Sequence, residues 1–124
     1  MAGGVVVWSV WALVCAVGLH LLLRKEYPVH TSGVIVITGA STGIGRHAAV
    51  HLARAGYVVF AGVRSSRDAL SIQNENLPHT LLPLILDVTN QTTINSAFDT
   101  VSAYLKQNNL FLVGIVNKSG FFYF

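Results

Sequence analysis

The stretch Gly33 to Gly45, G-V-I-V-I-T-G-A-S-T-G-I-G, restricts the fold of this chain more than any other. Val34 to Ile37 is an unbroken β-branched run, the mark of a strand buried on both faces. Gly39, Gly43 and Gly45 follow at once, and a helical pattern then opens with Ile44, Ala48, Leu52 and Ala55 on one side. A turn this tight needs residues free to take positive φ, and a diphosphate reaches the backbone only where no Cβ intervenes. The helix behind the turn offers an anion its unpaired N–H groups and the positive end of its dipole. Strand, glycine turn and helix together form a context in which a glycine-rich loop carries chemistry. The spacing G-x-x-x-G-x-G is not the G-x-G-x-x-G of the standard dinucleotide fingerprint. Nor is it a Walker A loop, because Ile44, Gly45 and Arg46 stand where G-K-[ST] is needed.

With Thr38 in front, T-G-A-S-T-G-I-G resembles the cofactor loop of the short-chain dehydrogenase/reductase family, T-G-x-x-x-G-x-G, and matches it at Thr38, Gly39, Gly43, Ile44 and Gly45. The competing reading is a glycine-rich turn with no ligand, which leaves Thr38 and Ile44 unexplained. The resemblance implies an α/β fold, the N-terminal half of a doubly wound parallel Rossmann sheet. Its strand order would be 3-2-1-4, with right-handed crossovers.

The first helix of this domain should run from about Gly43 to Ala55, with Gly56 as its stop. His47 and His51 are four apart, a spacing that can make a metal pair, but Arg54 shares their face and a solvated surface is the plainer reading. Tyr57 to Val63 reads as the second strand. In such a fold a carboxylate ending this strand meets the adenosine ribose and favours NAD. Here Val63 takes that place and Arg64 follows. Arg64 either offers a fork to a 2′-phosphate or is an ordinary loop cation like Arg67; the first reading selects NADP, with NAD as the alternative.

Ser65 to Leu77 is polar, with a short helix near Asp68 to Gln73, and Leu81 to Leu86 reads as the third strand. Pro83 inside it is awkward because it removes a ladder donor. Asp87-Val88-Thr89 is also the family's pattern at this point, and the resemblance puts Asp87 and Val88 beside the adenine. Thr89 or Asn90 should cap a helix over Asn90 to Asn108 that has Ile94, Phe98, Val101 and Leu105 on one face. Leu110 to Val116 reads as the fourth strand. Asn117-Lys118-Ser119-Gly120 stands where the family has N-N-A-G, matching at Asn117 and Gly120 and departing at Lys118 and Ser119. The resemblance thus implies cofactor-binding roles for Thr38, Gly39, Ser41, Thr42, Gly43, Ile44, Gly45, Arg64, Asp87, Val88 and Asn117.

Ahead of this domain, Val5 to Leu23 holds no charged residue. Such a run in helical form spans about 28 Å, close to the hydrocarbon thickness of a bilayer. Trp8 and Trp11 lie toward one end, and Arg24, Lys25 and Tyr27 close the other, as interfacial anchors do. A cleaved signal peptide is the competing reading. Against it, Met1 to Gly4 has no basic side chain and no clear small-x-small cleavage site follows. His20 reaches the interface, and Cys15 reads as a small lipid-facing residue. Residues 1–32 are thus expected to be a transmembrane anchor with a short linker, and residues 33–124 a truncated NAD(P)-binding domain. Arg24 and Lys25 place that domain in the cytosol, with the endoplasmic reticulum as the expected membrane. Elsewhere no Lys/Arg run marks a nucleic-acid surface, and no Cys/His spacing marks a metal site.

The family's catalytic groups are a Ser and a Y-x-x-x-K, and no Tyr in these 124 residues has a Lys four positions later. The resemblance therefore covers residues 33 to 120 and lacks the catalytic half. Two readings follow. One is an incomplete or alternatively ended copy of a membrane-anchored, NADP-dependent oxidoreductase acting on an alcohol or carbonyl of a lipophilic substrate. The other is a non-catalytic nucleotide-binding or interaction protein. In either case the fourth strand should be an apolar edge, followed by the aromatic Phe121 to Phe124, that invites pairing with a second copy.

Overall fold

The computed structural model describes residues 2–25 and 28–119. The match expected at Gly120, the aromatic residues after it and the Tyr27 anchor lie outside them. The elements follow in the order α1 (Ala2–Leu23), β1 (Val34–Thr38), α2 (Gly43–Arg54), β2 (Val58–Val63), α3 (Ser66–Asn74), β3 (Leu81–Ile85), α4 (Gln91–Asn108) and β4 (Leu112–Asn117). The four strands form one parallel sheet in the order β3-β2-β1-β4, as the sequence implies. All four strand starts therefore lie at one end of the sheet and all four strand ends at the other.

Side-chain alternation along β1 explains its unbroken apolar run. Ile35 and Ile37 join Val59, Ala61 and Val63 in a core with Ala49 and Ala53 of α2 and Ile72 of α3. Val34 and Val36 face the opposite way and meet Phe60, Leu84, and Ala97 and Val101 of α4. Both faces of the inner strands are covered, which keeps them apolar up to Thr38, a buried polar residue at the end of β1. On the α4 side, Phe60 and Tyr104 make an edge-to-face contact with ring centroids 5.3 Å apart.

Pro83 proves compatible with its strand because β3 is an edge. Thr80 and Leu86 hydrogen-bond to β2, and in a parallel ladder that role alternates along the strand. The position of Pro83 thus points outward, where no partner needs its missing N–H.

Two expectations about helix faces need correction. Ile44, grouped by the sequence pattern with Ala48, Leu52 and Ala55 on one side of α2, is 74% exposed. The buried residues of α2 are Gly45, Ala49 and Ala53, a small-residue side that lets the helix lie close to the sheet and turns Ile44 outward. Phe98, grouped by the sequence pattern with Ile94, Val101 and Leu105 on one face of α4, is 71% exposed. There Ala97 and Val101 are the buried residues, with Tyr104 and Leu105 packed beside them, and Phe98 falls on the helix flank. Strand starts also shift by one or two residues. Gly56, at φ +101°, ends α2 in a Schellman turn whose last bond runs from Tyr57 N–H to the Leu52 carbonyl. Asn109, in the left-handed region, similarly draws the Leu110 N–H back to Leu105. Tyr57 and Leu110 are therefore helix-closing residues and not ladder residues.

Candidate functional site

The β1–α2 turn uses its glycines for different reasons. Gly39 and Gly43 sit at φ +67° and +59°, a region that costs an L side chain about 1–2 kcal/mol. Gly45 needs close approach instead: a Cβ there would lie 2.2 Å from the Gly39 carbonyl oxygen. The first turn of α2 therefore rests directly on the loop. Its N-cap, Thr42, makes no side-chain capping bond. By contrast Ser65 Oγ accepts the Asp68 N–H at the start of α3, and Asn90 Oδ1 accepts the Thr92 N–H at the start of α4. The leading N–H groups of α2 are thus left without the side-chain partner that the next two helices have.

Thr38, buried at the end of β1, ties the turn to β4. Its hydroxyl donates to Asn117 Oδ1 at 2.7 Å and accepts the N–H groups of Lys118 at 3.0 Å and Ser119 at 3.2 Å. At the end of β3, Asp87 Oδ1 accepts the hydroxyl of Thr89 at 2.6 Å and its N–H at 3.0 Å. The Thr89 hydroxyl, followed by its N–H, holds the Asp87 carboxyl below the usual carboxylate range; desolvation opposes this and the Arg64 charge adds to it.

A cleft of about 260 Å³ opens at this end of the sheet, lined by Gly39, Ser41, Thr42, Arg64, Asp87, Val88, Lys118 and Ser119. It lies where β1 and β4 part and the chain passes from α2 and α3 on one face to α4 on the other, the switch point at which open α/β sheets bind ligands. Six of the residues expected from sequence, Gly39, Ser41, Thr42, Arg64, Asp87 and Val88, meet there. The other five stand apart. Thr38 and Asn117 bond to each other beneath the loop, Gly45 packs on it, and Gly43 and Ile44 flank a shallow apolar surface with His47, Ala48 and His51. His47 and His51 are exposed on α2.

Lys118 and Ser119 are cleft residues that sequence reasoning missed. They registered only as departures from N-N-A-G, although their position just after a strand end was itself the signal. The cleft volume falls just below the roughly 300 Å³ at which small-molecule sites usually begin. It has room for part of a dinucleotide.

The profile of the short chain dehydrogenases matches residues 33–120. The chain belongs to the short-chain dehydrogenase family. An oxidoreductase of Penicillium decumbens, calM, is 33% identical over 98 residues, covering 78% of this chain and 31% of that protein. A Caenorhabditis elegans protein named 3beta-hydroxysteroid dehydrogenase dhs-16 is 33% identical over 108 residues, covering 83% of this chain and 28% of that protein. Among solved structures, a short chain dehydrogenase from Bacillus anthracis superposes with a TM-score of 0.59 at 22% identity, over 71% of this chain and 35% of the other, a likeness of fold. This short-chain dehydrogenase chain spans about a third of the length of the curated relatives it matches. The family binds NAD(P) dinucleotides.

Proposed function

We propose that this chain is the NADP-binding part of a membrane-anchored oxidoreductase that acts on an alcohol or carbonyl of a lipophilic substrate. Residues 1–32 are the anchor and linker, and residues 33–124 the nucleotide-binding domain. The observation that carries the reading is the cleft itself, where a glycine turn and an uncapped helix start adjoin Arg64. The turn and the leading N–H groups of α2 hold the diphosphate, with Gly43, Ile44 and Gly45 supplying backbone. Asp87 and Val88 border the adenine. Thr38 and Asn117 act one step back by fixing the loop that carries Lys118. Two cations, Arg64 and Lys118, and one carboxylate line the cleft, and Val63 offers the ribose no carboxylate. That balance favours a 2′-phosphate.

A bound dinucleotide supplies hydride chemistry, while this chain's residues bind and orient its adenosine end. Within this reading the step that these 124 residues carry is nucleotide binding. The lipophilic substrate draws support from the steroid named for one relative and from the apolar α1. The second reading, a non-catalytic nucleotide-binding or interaction protein, is favoured by the exposed edge strand β4. In it, the exposed Ile115 of β4 lies on an edge that pairs with a second copy; sedimentation as a monomer would remove that pairing.

The experiment uses fragments matched to the cleft. The full chain in detergent is titrated with 2′,5′-ADP and with ADP. A charge-assisted arginine contact predicts at least about a tenfold preference for the 2′-phosphate, and Arg64→Asp should abolish it. Equal affinity for the two fragments would return the assignment to NAD, and no binding of either would remove the site.

A further inference from the structure

The end of the sheet opposite the cleft carries features that the nucleotide reading does not use. Phe111, in the α4–β4 loop, is 78% exposed, and Val29, in the linker, is 81% exposed. Linker and loop lie side by side: His30, Ser32 and Gly33 flank one cavity with Phe111 and Leu112, and the Phe111 carbonyl accepts the Val34 N–H. The Tyr57 hydroxyl donates to the His30 carbonyl, which pins the linker to the start of β2. Between the end of α1 at Leu23 and this tie only residues 24–29 are left as tether, a reach of about 20 Å even if fully extended.

Charge at this end is mostly positive. The helices run against the strands, so Arg54 at the end of α2 and Lys106 in the last turn of α4 arrive here. Arg24 and Lys25 follow α1 directly, in the short stretch that joins the span to this end. Among the described residues, Glu75, which follows α3, is paired with Arg46 at 2.6 Å. Large exposed apolar side chains at an end of the sheet that also receives Arg54 and Lys106 suit the headgroup region of an anionic leaflet.

We propose that the strand-start end of the domain docks on an anionic bilayer surface through Phe111 and Val29, so that the nucleotide cleft opens away from the membrane. The proposal rests on the reading of residues 5–23 as a membrane span. The parallel sheet makes the consequence geometric: whatever faces the membrane at the strand starts puts Gly39, Arg64 and Lys118 on the far side.

The test places a dye at each end of the full chain. In a Cys15→Ser background, Gln107→Cys reports on the strand-start end and Arg67→Cys on the cleft end; both native side chains are exposed. The labelled chains are reconstituted in phosphatidylcholine/phosphatidylserine vesicles that carry nitroxide headgroups. Quenching is expected at position 107 and not at position 67. Adding Phe111→Ser and Val29→Ser should release the dye at 107 while the chain stays with the vesicles. Equal quenching at both ends, stronger quenching at 67, or no response to the serine pair overturns the docking alone. Loss of the chain from the vesicles on alkaline washing overturns the span, and the docking with it.

Discussion

A Cβ on Gly45 would stand 2.2 Å from the Gly39 carbonyl oxygen and 3.4 Å from the Ala40 Cα, and both neighbours are backbone that cannot rotate aside. At Gly43 a Cβ meets nothing within 4 Å, and the penalty there is only its φ of +59°. The two glycines should therefore respond differently to the same substitution. Gly45→Ala overpacks the contact between helix and loop at a cost of about 3 kcal/mol, the upper end of such insertions. Gly43→Ala costs about 1 kcal/mol, because left-handed strain is partly offset by a stiffer unfolded chain. Urea denaturation followed by circular dichroism should rank wild type, Gly43→Ala and Gly45→Ala in falling order of midpoint. Equal midpoints for the two variants would mean that the first turn of α2 moves freely away from the loop. The sequence marks all three glycines alike; only the backbone angles and the approach distance separate their roles.

At the scale of elements, the hydroxyl of Thr38 joins two neighbouring strand ends. It gives one hydrogen bond and receives two, and Thr38 is only 6% exposed. Thr38→Val keeps the shape but strands the Lys118 N–H, whereas Ser119 retains a second acceptor in Asn117 Oδ1 at 3.3 Å. The expected loss is about 1–2 kcal/mol, the cost of one unsatisfied partly buried donor. Hydrogen exchange should speed up at Lys118 more than in the middle of β4, and Thr38→Ser should restore it. Unchanged exchange in Thr38→Val would show that the tie does not hold the loop. How legible this was varies with the kind of interaction. Buried runs such as Val34 to Ile37 identify their strands unaided, because covering both faces leaves no alternative composition. The strand order came from the resemblance, and the sheet shows it. The helix faces were less legible, since Ala49 and Ala97 weigh little in a hydrophobic pattern yet govern how closely their helices approach the sheet. The link from Thr38 to Asn117 spans 79 positions and leaves no local pattern at all.

For the whole molecule, one question decides where any nucleotide must come from: which side of the membrane the domain occupies. Among the described residues one helix, Gly3–Leu23, is long and apolar enough to cross a bilayer, and none of it is buried against the domain. If it does cross, Arg24 and Lys25 follow it directly and argue for a cytosolic domain, since basic residues beside a span resist translocation. Two glycosylation sequons, Asn90-Gln91-Thr92 and Asn117-Lys118-Ser119, report on the answer. Asn90 is exposed at the start of α4 and Asn117 is exposed at the end of β4. The cleft-side loops that carry them would be open to modification in the lumen of the endoplasmic reticulum. Each Asn engages its Oδ1, Asn90 in capping Thr92 and Asn117 with Thr38 and Ser119; Asn90 is the better reporter because its bond is local to the exposed helix start, whereas Asn117 is tied to the buried Thr38. Translation of the full chain into microsomes should give a single band that endoglycosidase does not shift. Replacing Arg24 and Lys25 with Glu should weaken the bias and let a glycosylated fraction appear, lost again in Asn90→Gln. A shift in the unmodified chain would place the domain in the lumen, by an inverted span or a cleaved leader, and would overturn the cytosolic assignment.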